Sequence, residues 1–231
     1  MTRFANRAQM LSMYALGIGG AAYDVRHNGE RLPLGMLDGP VTVFDVGAHL
    51  GEYAELALGV LPDANLHCFE PAPDTFAALR ERLGGRAALH HVALSDEPGE
   101  GALQTDSRRS GLASLHPLRR LDTTATTVTV ETIERICSAH AIDRIDLLKL
   151  DVEGAELEAL RGAGGVELGI VQFEFGQNSL EARTYLRDFY DLLGATHRIC
   201  RVTPHALVPL GEYRQALEVF YSATNYAAVP M

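Results

Sequence analysis

The sequence predicts a doubly wound α/β sheet with helices on both faces, and three observations predict it. Short apolar or β-branched runs alternate with helical periods along most of the chain. Glycine and proline punctuate the changes of period. The composition, 47% hydrophobic and 22% charged over 231 residues, is that of a globular chain with one large core.

Residues 1–40 read as a helical appendage, and residues 41–231 as the main domain. Phe4, Ala8, Leu11 and Ala15 share one helix face. Arg3 and Arg7 ahead of the apolar stretch Met10–Ala22 also mimic a short targeting segment, which Gly17, Gly19 and Gly20 interrupt. A connection through Pro33, Gly35, Gly39 and Pro40 leads to Val41–Val46, a β-branched strand that stops at Gly47. Leu50, Ala54, Ala57, Leu58 and Leu61 then keep a helical period, closed by Pro62 and Asp63. Asn65–Phe69 is the second strand, and Phe76, Leu79 and Leu83 mark a helix ended by Gly84 and Gly85. Ala87–Ala93 is the third strand, followed by a turn at Asp96, Pro98 and Gly99. Residues 101–130 are irregular, with β-prone Thr126–Val130 at their end. A helix over Glu131–His140, a strand over Ile145–Leu150 and a helix over Ala155–Arg161 come next. Gly169–Phe175 is a strand, Leu180–Leu193 a helix, Thr196–Val202 a strand, and Glu218–Thr224 the last strand.

Charge and cysteines exclude several function classes. A net charge of −10 disfavours nucleic acid and anionic membrane surfaces. No stretch is long and apolar enough to be read as a membrane span. Cys68, Cys137 and Cys200 are far apart, with no CxxC, so neither a zinc knuckle nor a redox dithiol is indicated. An odd, sparse set fits a reducing cytoplasm.

On a doubly wound sheet, ligands bind beyond the carboxyl ends of the strands. The first strand ends in Asp45-Val46-Gly47-Ala48-His49-Leu50-Gly51, with two glycines four apart between strand and helix. GxGxxG and GK[ST] are both absent, so neither a dinucleotide nor a nucleoside triphosphate is indicated. A leading acid suits a ligand with a cationic centre and an ammonium group, as S-adenosylmethionine has. Glu70 ends the second strand 23 residues after Gly47, where an acid accepts hydrogen bonds from ribose hydroxyls. The plainer reading is a tight turn in which Asp45 caps the next helix.

Four blocks resemble the FkbM family of S-adenosylmethionine-dependent methyltransferases: Val43–Gly51, Phe69–Pro73, Val92–Asp96 and Ile145–Glu156. Within the last, Lys149, Asp151, Glu153 and Gly154 are the specific part. Gln172–Phe175 and Asn225–Pro230 are weaker echoes, and residues 1–40 lie outside the likeness. The resemblance implies a class I methyltransferase fold, Rossmann-like, with a seven-stranded, mostly parallel sheet and one antiparallel strand near the C-terminus. It implies O-methylation of a sugar, glycan or polyketide hydroxyl. Asp45, Gly47, Ala48 and Gly51 would hold the amino-acid end of the cofactor, Glu70 with Pro71 its ribose, and Val92, Ala93 and Leu94 its adenine.

Asp151 and Glu153 follow an apolar strand and precede a helix, and Glu174 ends the neighbouring strand. A hydroxyl needs a base as the methyl moves, and a carboxylate in reach supplies one. The same three acids are also the kind of oxygen cluster that holds magnesium. Against both stands the reading that Glu153 and Glu156 only favour a helix N-terminus. The N/D-P-P-Y/F motif common in enzymes that methylate nitrogen is absent here, which favours an oxygen acceptor. His49, in the glycine loop, and Ser110, Ser114 and His116 are candidates to border the acceptor, with Arg108 and Arg109 beside them. The competing functions are an NAD-dependent oxidoreductase, which lacks its glycine fingerprint, and a binding subunit without catalysis.

Overall fold

The structure is a computed structural model and describes residues 2–15, 18, 24–106, 109–116, 123–218 and 223–231. α1 (Thr2–Ala15) and the short α2 (Arg31–Leu34) precede β1 (Thr42–Val46). α3 (Glu52–Val60), β2 (Asn65–Phe69), α4 (Pro73–Leu83) and β3 (Ala88–His90) follow. Next come β4 (Ala93–Leu94), β5 (Gly99–Asp106), β6 (Arg109–Ser114) and β7 (Thr123–Glu131). α5 (Ile133–His140), β8 (Arg144–Leu150), α6 (Glu156–Arg161) and β9 (Glu167–Phe175) resume the alternation. The chain closes with α7 (Gln177–Glu181), α8 (Leu186–Leu193), β10 (His197–Val202), β11 (Leu207–Pro209), a 3-10 turn at Gln215–Leu217, and β12 (Thr224–Pro230).

Local chemistry sets the helix ends. Gly51 precedes α3 in the left-handed region, at φ 87°. Pro73 opens α4, where its missing N–H costs no hydrogen bond. Thr132 caps α5 by accepting the Arg135 amide.

The main sheet runs β11-β10-β12-β9-β8-β1-β2-β3. β9, β8, β1, β2 and β3 are mutually parallel, and β12 is antiparallel to both β9 and β10. The expected seven strands are therefore eight, because the three-residue β11 adds an antiparallel edge to β10. The central strands are near-continuous apolar runs because both sheet faces are covered. On one face Phe44, Phe69, Leu148, Leu150 and Phe173 pack under Ile133 and Cys137 of α5, Leu157 of α6 and Phe189 of α8. On the other, Val43, Leu66, Cys68 and Leu147 pack under Ala54 and Ala57 of α3 and Leu79 and Leu83 of α4. All three cysteines are free and buried.

Several boundaries differ from the sequence reading. The expected strand Ala87–Ala93 breaks at His91-Val92, so β3 ends the main sheet and β4 joins a second sheet, β4-β7-β5-β6. The stretch read as irregular is most of that second sheet. Residues 180–193 form two helices, separated where Arg183 turns to φ 60°. The last strand begins at Thr224 rather than Glu218, and residues 219–222 lie outside the described residues. So do Arg108 and most of the segment from residue 16 to residue 23.

Within residues 1–40, Leu34 is fully buried in the layer under α3 and α4. The buried Glu30 carboxylate accepts hydrogen bonds from Asn28, from Gln172 of β9 at 3.2 Å and from Asn225 of β12 at 2.9 Å. Among the described residues, no helix is long and apolar enough to cross a membrane.

Candidate active site

The chain turns from β1 to β2 and β3 in one direction and from β8 to β9 in the other, so the switch point lies between the carboxyl ends of β1 and β8. Two loops meet there. The Asp151 amide donates to Val46 O at 3.0 Å, and a Cβ on Gly47 would fall 1.9 Å from Asp151 O. Gly47 also sits at φ 84°, so glycine is required on two grounds. Gly51 is confined as well: a Cβ there would meet Leu79 Cδ1 at 2.9 Å. Four of the loop amides are committed within the protein. Those of Gly47 and Ala48 donate to Phe69 O, that of Gly51 to Ala48 O, and that of His49 to Glu70 Oε2. The glycines therefore bring protein segments together, and the loop does not present a row of free N–H groups.

Glu70 lies at the end of β2, and its two oxygens each accept a backbone amide, from His49 at 3.0 Å and Ala72 at 2.9 Å. Burial pushes its carboxyl up, against the pull of those two amides. Glu70 lines a cavity of about 180 Å³ that opens to solvent. Gly47, His49, Phe69, Pro71, Val92, Ala93 and Leu94 form its strand-end wall, and Asp151, Val152 and Glu153, which follow β8 on the other side of β1, line it as well. A concave, mostly apolar recess with a few convergent polar groups has the character of a small-molecule site. Apolar walls carrying the Asp151 and Glu70 carboxyl groups suit an adenosine-like body bearing positive charge and repel phosphate.

Behind this cavity is a buried charge network. Lys149 Nζ is 2.8 Å from Asp151 Oδ2 and 3.8 Å from Asp45 Oδ1, and lies over the Tyr53 ring at 5.0 Å. Burial alone lowers the Lys149 ammonium, but Asp151, Asp45 and Glu30 outweigh it and hold the ammonium well above its ordinary value. Asp45 is fully buried, and neither of its oxygens is hydrogen-bonded. Burial pushes its carboxyl up to about 7. Its position on β1 explains this. Asp45 is level with Lys149 of β8 and alternates with Phe44 and Val46, so it faces the charge network and does not line the cavity.

Beyond β8, Glu156 accepts the amides of Val152 and Gly154 and so shapes the loop that carries Glu153. Burial raises Glu156 to about 7. Glu153 sits at φ 55°, accepts a hydrogen bond from Asn178, and is raised to about 8 by burial and by Asp151. Glu174 is also raised, by burial and then by Asp151 and Glu153, but it lies outside the cavity lining. Among the described residues, Asp151, Glu153 and Glu174 do not bring their carboxylate oxygens within 4.8 Å of one another. The geometry gives no support to a metal held by these three.

Val46, Thr75 and Ala155 also line the cavity, and the second sheet adds Leu103 and Ala113, joined by Leu115 just after β6. The polar, threonine-rich sequence around these residues hid their shared role. Ser114 is buried and does not line the cavity. Its hydroxyl donates to Glu153 O at 2.7 Å and accepts the His116 amide, tying β6 to the β8 loop. His116 also lies outside the lining and faces Glu158 at 3.3 Å, which raises its pKa. Ala48 and Gly51 shape the loop without lining the cavity. Ser110 lies on β6, and its side chain is outside the described residues, as is that of Arg109. His49 does line the cavity, and its buried Nε2 has no hydrogen-bond partner.

A family model for the methyltransferase FkbM domain matches residues 45–204. The chain is 31% identical over 175 residues to 2-O-methyltransferase NoeI of Sinorhizobium fredii, covering 65% of this chain and 70% of that protein. It is 29% identical over 153 residues to 31-O-demethyl-FK506 methyltransferase FkbM of Streptomyces tacrolimicus, covering 52% of this chain and 58% of that one. The crystal structure of methyltransferase FkbM from Methylobacillus flagellatus shares the fold at a TM-score of 0.50 and 15% identity, over 83% of this chain and 44% of that chain.

Proposed function

Since the chain belongs to the FkbM methyltransferase family, we propose that it methylates a hydroxyl of a sugar, glycan or polyketide-type acceptor with S-adenosylmethionine. The observation that carries this reading is one cavity, with largely apolar walls, that Glu70, Asp151 and Glu153 line together. Both relatives described above are named for methylation of oxygen. S-adenosylmethionine, when bound, supplies an activated methyl group on a cationic sulfonium.

The chain's own residues divide the remaining work. Each Glu70 oxygen already accepts one amide and keeps capacity for a ribose hydroxyl. Phe69, Val92 and Leu94 supply apolar surface for the base, and Gly47, His49, Pro71 and Ala93 complete that side. Asp45, Ala48 and Gly51 act by holding the loop and Lys149. Asp151 takes the acceptor's proton, and Lys149 holds its carboxylate in one orientation through the 2.8 Å ion pair. Glu153, raised to about 8 by burial and by Asp151, keeps its proton at neutral pH. It is therefore the poorer base.

The test is transfer to a panel of hydroxylated sugars and macrolides, read as S-adenosylhomocysteine formed. Asp151→Asn is expected to lower turnover by about 10²–10⁴-fold while S-adenosylhomocysteine affinity stays close to wild type. Wild-type turnover in that variant would remove Asp151 from proton transfer.

A further inference from the structure

Three histidines from separate elements converge behind the Phe69 wall. His67 is central in β2, His90 ends β3 and His140 ends α5. The parallel register pairs His67 with Ala88 and Phe69 with His90, which sets His67, Phe69 and His90 on one face of the sheet. α5 packs on that face through Ile133 and Cys137, and His140 lies one turn beyond Cys137. His67 Nδ1 and His90 Nε2 are 3.0 Å apart. One ring nitrogen from each of the three histidines lies within 4.8 Å of the others. The His67 and His90 rings are near parallel at 11°, and His140 meets them edge-on with centroids at 5.1 and 5.2 Å.

This cluster takes no part in the reaction described above. We propose that His67, His90 and His140 form a site for a late first-row divalent metal ion, with zinc as the probe, that clamps the end of α5 to β2 and β3. Neutral imidazole suits such ions, and three nitrogens plus one water complete a tetrahedral shell. Two nitrogens on one tetrahedral zinc, with bonds of about 2.0–2.1 Å, sit roughly 3.4 Å apart. The 3.0 Å pair needs only a small separation to reach that spacing. Without the ion, one of these nitrogens donates its proton to the other. With it, each ring stays neutral and keeps its proton on the opposite nitrogen. His67 is buried while His140 is exposed, which gives the ion a way in. The clamp would fix the short edge strand β3, whose His90 carbonyl accepts the Glu70 amide at 3.1 Å.

The test is calorimetric titration of the metal-stripped full chain with zinc chloride, paired with cobalt(II) absorption. One ion per chain is expected, with the intense visible bands of a tetrahedral cobalt site. Zinc at 100 times its dissociation constant should raise Tm by about 5–10 °C. His140→Ala, at an exposed position, should weaken zinc binding by at least about 10–100-fold, the loss that changing an outer partner alone brings. Its Tm without zinc should match wild type, and the conservative His90→Gln should show the same weakening. Asp151→Asn should leave zinc affinity unchanged. No binding, binding indifferent to both histidine substitutions, or binding removed by Asp151→Asn would each overturn the proposal.

Discussion

Buried carboxyl groups set how stability responds to pH. Asp45 and Glu156 are raised to about 7 and Glu153 to about 8, each chiefly by burial. Between about pH 4 and 8 the folded chain holds protons that the unfolded chain has released. Stability is therefore full below that window, falls as pH rises through it, and levels off above. The Tm of the ligand-free protein should drop from pH 5 to pH 8. Glu153→Gln should raise Tm more at pH 8 than at pH 5, since its amide oxygen can still accept from Asn178. Parallel melting curves for the two proteins across pH would contradict this. Glu70→Ala should weaken S-adenosylhomocysteine binding by about 1–3 kcal/mol. Because it also frees the His49 and Ala72 amides, its melting temperature must be measured beside its affinity. At this scale the sequence identified Glu70, Asp151 and Glu153 as strand-end acids in one site, and they share one cavity. It did not distinguish Asp45 from them, because strand alternation turns that side chain toward Lys149. The histidine cluster was equally hidden, since only the register of β2 with β3 and the seating of α5 bring its members together.

Among the elements, the β1–α3 loop and the β8–α6 loop depend on each other. Gly47→Ala would place a methyl group against Asp151 O in a conformation disfavoured for alanine, at a cost of about 2 kcal/mol or more. Denaturant unfolding measures it, and wild-type stability would mean that the two loops are not packed as described. α2 is fastened in the same way. Leu34→Ala should cost about 2–5 kcal/mol, and removal of residues 1–40 more, since it also uncovers Gln172 and Asn225. A shortened chain as stable as the full one would place the domain boundary at residue 40 after all. The core βα units were readable because their apolar runs are bounded by glycine and proline. The second sheet was not, because β5 and β7 are polar and partly exposed and draw their pairing from each other. β11 escaped notice for a related reason: three residues ending in proline carry no strand period.

Over the whole molecule, the switch point of a largely parallel sheet brings an acid-lined cavity to the meeting of β1, β2 and β8. The chain's net charge of −10 has the same sign as that cavity and favours a cationic small molecule over a phosphate-rich one. Calorimetric titration of the full chain with S-adenosylhomocysteine, the product of methyl transfer, and separately with NAD tests the proposed cofactor site most directly. The expected result is saturable one-to-one binding of S-adenosylhomocysteine, weakened in Glu70→Ala, with no heat from NAD. Saturable NAD binding in a protein that takes up no S-adenosylhomocysteine would contradict it.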